Sequence, residues 1–178
     1  MEKKLLMIVN PVAGTKRLRP LLLDVISIFS AGGFATTVMV TGRRGDATEF
    51  AARGGEFDRI VCCGGDGTLN ETISGMLDAG VTIPLGYIPC GSTNDFASSM
   101  GIPTDIKKAA HAIADGLPLP LDIGKFGDSY FTYIASFGAF TATSYSVPQD
   151  MKNVLGHAAY VFEGIKDLAS IKPYHVKL

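Results

Sequence analysis

The amino-acid sequence predicts an α/β domain built on a parallel sheet, and three observations carry that prediction. Strand-length apolar runs such as Leu5-Leu6-Met7-Ile8-Val9 show no polar alternation, as expected of strands covered on both faces. Stretches with helical spacing separate these runs, so strand and helix alternate. The loops that follow the strands are polar and carry glycine.

The elements follow in order. Leu5 to Val9 is the first strand and ends at Asn10-Pro11. Leu18, Leu21, Leu22, Val25, Ile28 and Phe29 have the spacing of one helix face, and Gly32-Gly33 stops that helix. Phe34 to Val40 is the second strand. Asp46 and Glu49 have capping-box spacing, which starts a short helix ending near Arg53-Gly54. Arg59 to Cys63 is the third strand, Thr68 to Leu77 a helix, and Ile83 to Ile88 the fourth strand. A short helix follows Ser92. Thr104 caps a further one that stops before Gly116 and Pro118. The pattern then changes. Leu119 to Phe126 and Tyr130 to Phe137 read as a hairpin around Gly127-Asp128-Ser129. Tyr160 to Ala169 reads as a helix and Tyr174 to Leu178 as a strand-like piece. A boundary near residue 120 divides an α/β domain, residues 1–120, from the beginning of a β-rich domain, residues 121–178. The second is too short to close a core of its own.

Composition narrows the function. The chain has 178 residues, 47% of them hydrophobic, which suits a globular domain with a substantial buried sheet. A formal net charge of −1 gives no general reason to expect nucleic-acid binding. No apolar run approaches membrane-spanning length, and the start shows no signal-peptide pattern. Cys62, Cys63 and Cys90 lie in or beside core strands with no CxxC, as small buried hydrophobes in a reducing cytoplasm would. His111, His157 and His175 share no metal-ligand spacing.

Three loops carry the chemistry. Asn10 to Gly14 follows the first strand, Gly64 to Glu71 the third, and Pro89 to Phe96 the fourth. Ligands of open α/β sheets bind outside the carboxyl ends of the strands, where these loops would converge. A glycine-rich turn between strand and helix lets backbone N–H groups approach a phosphate. Asp66, between Gly65 and Gly67, is then out of place beside an anion unless a divalent cation or a removable proton lies between them. Plainer readings exist for the neighbours. Asn10-Pro11 also reads as a turn starter, Thr68 with Glu71 as a capping box, Asp95 as a helix-dipole partner, and Asp122 as an ordinary strand-end aspartate. There is no GxxxxGK[ST], no GxGxxG after the first strand and no Gly-x-Ser-x-Gly.

Asn10-Pro11…Gly14, Gly64 to Thr68 with Asn70-Glu71, and Pro89…Asp95-Phe96-Ala97 together resemble the diacylglycerol kinase catalytic family. Leu121-Asp122-Ile123-Gly124, Phe137 to Thr141 and Leu155-Gly156…Ala159-Tyr160 are similar to its soluble bacterial members. The resemblance implies an N-terminal α/β domain like that of phosphofructokinases and NAD kinases, followed by a C-terminal β-sandwich, with ATP and Mg²⁺ in the cleft between them. It implies nucleotide contacts at Asn10, Pro11, Val12, Ala13 and Gly14, at Thr41, at Gly65, Asp66, Gly67, Thr68, Leu69, Asn70 and Glu71, and at Ser92, where the family usually has threonine. Asp66, Asp95 and Asp122 match an aspartate network that organises Mg²⁺ through water. The family's general base lies beyond residue 178, and Tyr133 stands where asparagine is common.

The implied reaction moves the γ-phosphoryl of ATP to a lipid hydroxyl, diacylglycerol first among the candidates. Asp66 acts there on metal and phosphate. The implied setting is the cytoplasm, with transient contact at the inner membrane face, and the implied assembly a homodimer. NAD kinase shares Gly-Gly-Asp-Gly-Thr but does not combine it with the other two loops. A catalytically silent nucleotide- or lipid-binding module is the alternative from a different class.

Overall fold

In the computed structural model, residues 2–14 and 18–134 are described. The elements are β1 (Lys3–Val9), a 3-10 turn (Arg19–Leu21), α1 (Leu22–Ala31), β2 (Phe34–Val40), α2 (Asp46–Ala51), a second 3-10 turn (Gly54–Glu56), β3 (Arg59–Gly64), α3 (Asp66–Asp78), β4 (Leu85–Pro89), α4 (Asp95–Ser99), α5 (Ile106–Asp115), β5 (Gly124–Phe126) and β6 (Ser129–Phe131). All lie within one unit, Met1–Tyr133.

Four parallel strands form the sheet in the order β2-β1-β3-β4. From β1 the sheet grows one way to β2 and the other way to β3 and β4. Right-handed crossovers must then lie on opposite faces for the two directions. The core follows that rule. On one face Leu5, Met7, Val9, Val61 and Cys63 pack against Val25 and Phe29 of α1 and Ala109 and Ala110 of α5. On the other, Leu6, Ile8 and Ile60 meet Ala47 and Ala51 of α2 and Met76 of α3. Further along that face Cys62 and Tyr87 meet Leu69 and Ile73 of α3 and Phe96 of α4. Burial on both faces explains why β1 and β3 lack polar alternation.

Local starts differ from expectation for identifiable reasons. The 3-10 turn, with Pro20 in its first positions, precedes α1, which therefore begins at Leu22 rather than Leu18. The capping box expected at Asp46 does not form. Gly45 is the N-cap at φ +93°, and the Asp46 carboxylate turns back to accept the Gly42 and Arg43 N–H groups at 2.7 and 2.9 Å. Asp105, not Thr104, caps α5, accepting the Lys108 N–H at 2.9 Å. The hairpin β5–β6 is antiparallel as expected but short. Pro118 and Pro120 have no N–H for a ladder, so Leu117, Leu119 and Leu121 run exposed and outside any strand. β6 lies against α3. The strand expected from Tyr130 to Phe137 ends at Phe131, and Thr132 to Ile134 lie in no strand. Its last three expected residues, the helix expected at Tyr160 to Ala169 and the piece expected at Tyr174 to Leu178 lie outside the described residues.

Candidate functional site

The strand order reverses direction between β1 and β3, and the loops after those two strands meet there. The Asn10 N–H donates to the Cys63 carbonyl at 2.9 Å. Its side-chain Nδ2 donates to Thr68 Oγ1, also at 2.9 Å, while its Oδ1 accepts the Val12 N–H at 3.1 Å. Asn10 is thus both the turn starter and the tie between two loops. At the end of β2, the Thr41 N–H donates to the Val9 carbonyl at 2.9 Å, which sets Thr41 beside Asn10.

The third loop closes on the other two. The Cys90 N–H donates to the Gly64 carbonyl at 2.7 Å. Gly65 and Gly91 run so close that a Cβ on Gly91 would stand 2.6 Å from Gly65 Cα. A side chain at Gly14 would collide with the Cys90 carbonyl. Glycine is required at these crossings because three backbones occupy the space of two. Asn94 shapes the loop from within. It is buried and holds the left-handed conformation, φ +52°, with Oδ1 accepting the Gly91 N–H at 2.8 Å and Nδ2 donating to the Gly91 carbonyl at 2.9 Å. The Tyr87 hydroxyl also donates to Asn94 Oδ1, at 3.4 Å. Burial, and next the charge of Asp66, pushes that hydroxyl well above the ordinary tyrosine range, so it stays a neutral donor.

Asp66 is placed differently from the expected turn. It is the first residue of α3, which begins two residues earlier than Thr68. No side chain caps this helix start among the described residues. Its first-turn N–H groups and the positive end of its dipole suit an anion. The Asp66 carboxylate reaches across to the start of α4, accepting the Asp95 N–H at 3.1 Å and the Phe96 N–H at 3.3 Å. One carboxylate therefore sits at the N-termini of two helices, a plain electrostatic reason for an acid among glycines.

The other expected residues fall as follows. Gly67 and Ser92 are exposed on the loop cluster, and Val12 is exposed on the first loop. Pro11, Ala13 and Asn70 are half-buried. The Leu69 side chain is buried in the core beneath α3, and its N–H donates to the Gly65 carbonyl at 3.0 Å. Glu71 does not cap α3. Its carboxylate accepts the Gly45 N–H at 3.1 Å, and its carbonyl accepts Thr48 Oγ1 at 3.1 Å. Asp122 is exposed, and no hydrogen bond among the described residues ties it to the loops. Tyr87 and Arg19 lie outside the expected loops, and Asn94 lies within the third loop but not among the expected contacts. Asn94 and Tyr87 frame the third loop, and Arg19 donates from Nε to the Pro11 carbonyl at 3.2 Å, bringing a cation to the first loop. After glycine, asparagine is among the residue types most tolerant of left-handed backbone, which was the available signal for Asn94.

Cavity size alone would mislead. The larger cavity, about 330 Å³, lies between β4 and α5 against Leu85, Gly86, Ile113 and Leu117, and touches none of the three loops. A smaller one of about 100 Å³ opens beside the first loop, against Asn10, Pro11, Ala13, Val40 and Cys90. Among the described residues no group of three or more His, Cys, Asp or Glu side chains is placed to hold a metal ion directly. Asp66 and Asp95 are neighbours, and each carboxylate oxygen of Asp66 keeps a lone pair after accepting one N–H. That donor chemistry suits hydrated Mg²⁺, which gives up its waters reluctantly, better than a dry metal site.

The profile of the diacylglycerol kinase catalytic domain matches residues 4–126, which include all three loops. The chain belongs to the diacylglycerol kinase catalytic-domain family. It is 39% identical over 179 residues to a diacylglycerol kinase of Bacillus subtilis, covering 99% of this chain and 59% of that protein. It is 37% identical over 180 residues to one of Staphylococcus saprophyticus, covering 100% of this chain and again 59% of that protein. The chain thus spans less than two thirds of the length of these curated relatives. A crystal structure of a diacylglycerol kinase from Bacillus anthracis superposes with a TM-score of 0.66 at 32% identity, over 73% of this chain and 45% of that one.

Proposed function

We propose that the protein is an ATP-dependent lipid kinase, transferring the γ-phosphoryl of ATP to the hydroxyl of diacylglycerol or a related lipid alcohol. The observation that carries this reading is the meeting of three glycine-bearing loops at the carboxyl ends of β1, β3 and β4, where the strand order reverses. The family relationship supports it.

In this reading residues 1–120 form the ATP-binding domain, and residues 121–178 begin the β-rich domain. Asn10 to Gly14, Thr41, Gly65 to Asn70 and Ser92 form the nucleotide wall. N–H groups of the first α3 turn hold phosphate oxygens. Asp66 and Asp95, with Asp122, would hold hydrated Mg²⁺ through its waters. When bound, that cation would neutralise phosphate charge. Asp66 has a second duty, fixing the start of α4, the helix that follows the loop whose Gly91 packs against Gly65. In-line transfer needs such positioning and charge balance more than a strong nucleophile, and the proton acceptor lies in the later part of the family's second domain. A lipid acceptor requires transient contact with the cytoplasmic membrane face. No described helix is long and apolar enough to cross a membrane, which fits a peripheral encounter.

Incubating the full-length protein with labelled ATP and either diacylglycerol micelles or NAD tests the reaction. Label in phosphatidic acid is expected. Label in NADP, or ATP bound with no transfer, would overturn the lipid kinase reading. Asp66→Ala is expected to lower transfer by at least about a hundredfold, as loss of a charge-organising group does, with cooperative unfolding retained. Full residual activity would remove Asp66 from its role.

A further inference from the structure

Glu71 is expected from the resemblance to touch nucleotide, yet its carboxylate is engaged elsewhere. It leaves α3 one turn past the loop cluster and accepts the N–H of Gly45, the N-cap of α2. One residue supplies a second tie, because the Glu71 carbonyl accepts Thr48 Oγ1. A turn further along α3, Gly75 lets the helices touch. A Cβ there would overlap the Thr48 carbonyl and stand 2.9 Å from Thr48 Cα. The segment between β2 and α2 is therefore pinned at both ends: Thr41 to Val9 at one, Gly45 to Glu71 at the other. Between them Asp46 gathers the Gly42 and Arg43 N–H groups, and its carboxyl is held below the ordinary range mainly by those two bonds.

We infer that Glu71 is a positioning residue, a strut from α3 that fixes the Thr41–Gly45 segment as one wall of the nucleotide site, and that it touches neither phosphate nor metal. This rests on the kinase reading above only for the identity of the ligand. A strut needs an acceptor oxygen at this point, whereas a metal or phosphate-steering group needs negative charge. Glu71→Gln keeps the first and removes the second; Glu71→Ala removes both.

The test has two arms on the full-length protein. Without nucleotide, amide exchange of residues 41–46 is expected to quicken on the order of tenfold in Glu71→Ala, the loss of one charge-assisted hydrogen bond, and to return most of the way in Glu71→Gln. With ATP and diacylglycerol, Glu71→Ala is expected to raise the KM for ATP on the order of tenfold with kcat held within about twofold, and Glu71→Gln to recover most of the KM. Exchange unchanged in Glu71→Ala would overturn the strut. A kcat collapse shared equally by Gln and Ala would overturn it too, by showing that the charge acts on the reaction. Quickened exchange in a protein whose wild type binds no ATP would remove the link to nucleotide and, separately, sink the kinase reading.

Discussion

Asn94 shows how much of the site depends on single side chains. A non-glycine residue at φ +52° is disfavoured, and Asn94 offsets that by bonding both the N–H and the carbonyl of Gly91 in its own loop. Asn94→Ala should cost about 2–3 kcal/mol of stability, since it loses both the conformational tolerance and the two Gly91 bonds. Asn94→Gly should cost only about 1 kcal/mol, because glycine keeps the left-handed backbone. Urea midpoints of the two variants check the ordering, and equal losses would show that backbone conformation contributes nothing. Asp66 teaches the converse. Between glycines it reads as a turn residue with an unexplained charge. In space it is the first residue of a helix that also receives two N–H groups of another. Its local sequence could not reveal the second helix, which starts 29 residues later.

At the scale of elements, α2 and α3 are the pair that packs beside the first and second loops. Their contact depends on Gly75, which has backbone of Thr48 where a side chain would stand. Gly75→Ala improves helix propensity yet should destabilise the protein by about 2–3 kcal/mol, because the neighbour is backbone and cannot rotate away. Chemical denaturation measures the loss, and a stabilised variant would mean that the two helices separate without cost. Element positions were largely legible. β1 is a continuous apolar run, and α1 and α5 each bury one helical face, so their type follows from pattern. Caps were less legible. Asp46 and Asp105 are each one residue from the expected cap arrangement, because aspartate can bond either forward into its helix or back into the loop, and the loop's path decides which.

At the scale of the whole molecule, β3 threads between two helical layers, and adjacent cysteines report on both. Cys62 packs toward α3 and α4, Cys63 toward α1 and α5. Burial pushes the Cys62 thiol from an ordinary 9.0 to about 12 and raises Cys63 well above that ordinary value. Both thiols are therefore neutral and unreachable in the folded state. Alkylation by iodoacetamide at pH 8 should leave them unmodified until urea unfolds the sheet. Because the folded pKa is raised, the associated stability is present below the unfolded value and is lost as pH climbs from about 8.5 toward 12. Urea midpoints should fall between pH 8 and pH 10. Rapid native labelling, or midpoints flat with pH, would contradict the packing described for β3.

The sequence by itself determined the parallel α/β class, the order of strands and helices through residue 115, the three loops, and the family they belong to. These follow from periodicity and from short glycine-bearing motifs, which act over a few neighbouring residues. Only the tertiary structure decided which loop touches which: Asn10 on Thr68, Gly91 on Gly65, Asp66 on the start of α4, and Glu71 on Gly45 rather than on its own helix. Such pairings depend on strand order, which brings together residues that are from 26 to 58 positions apart, and nothing local to either partner encodes the other.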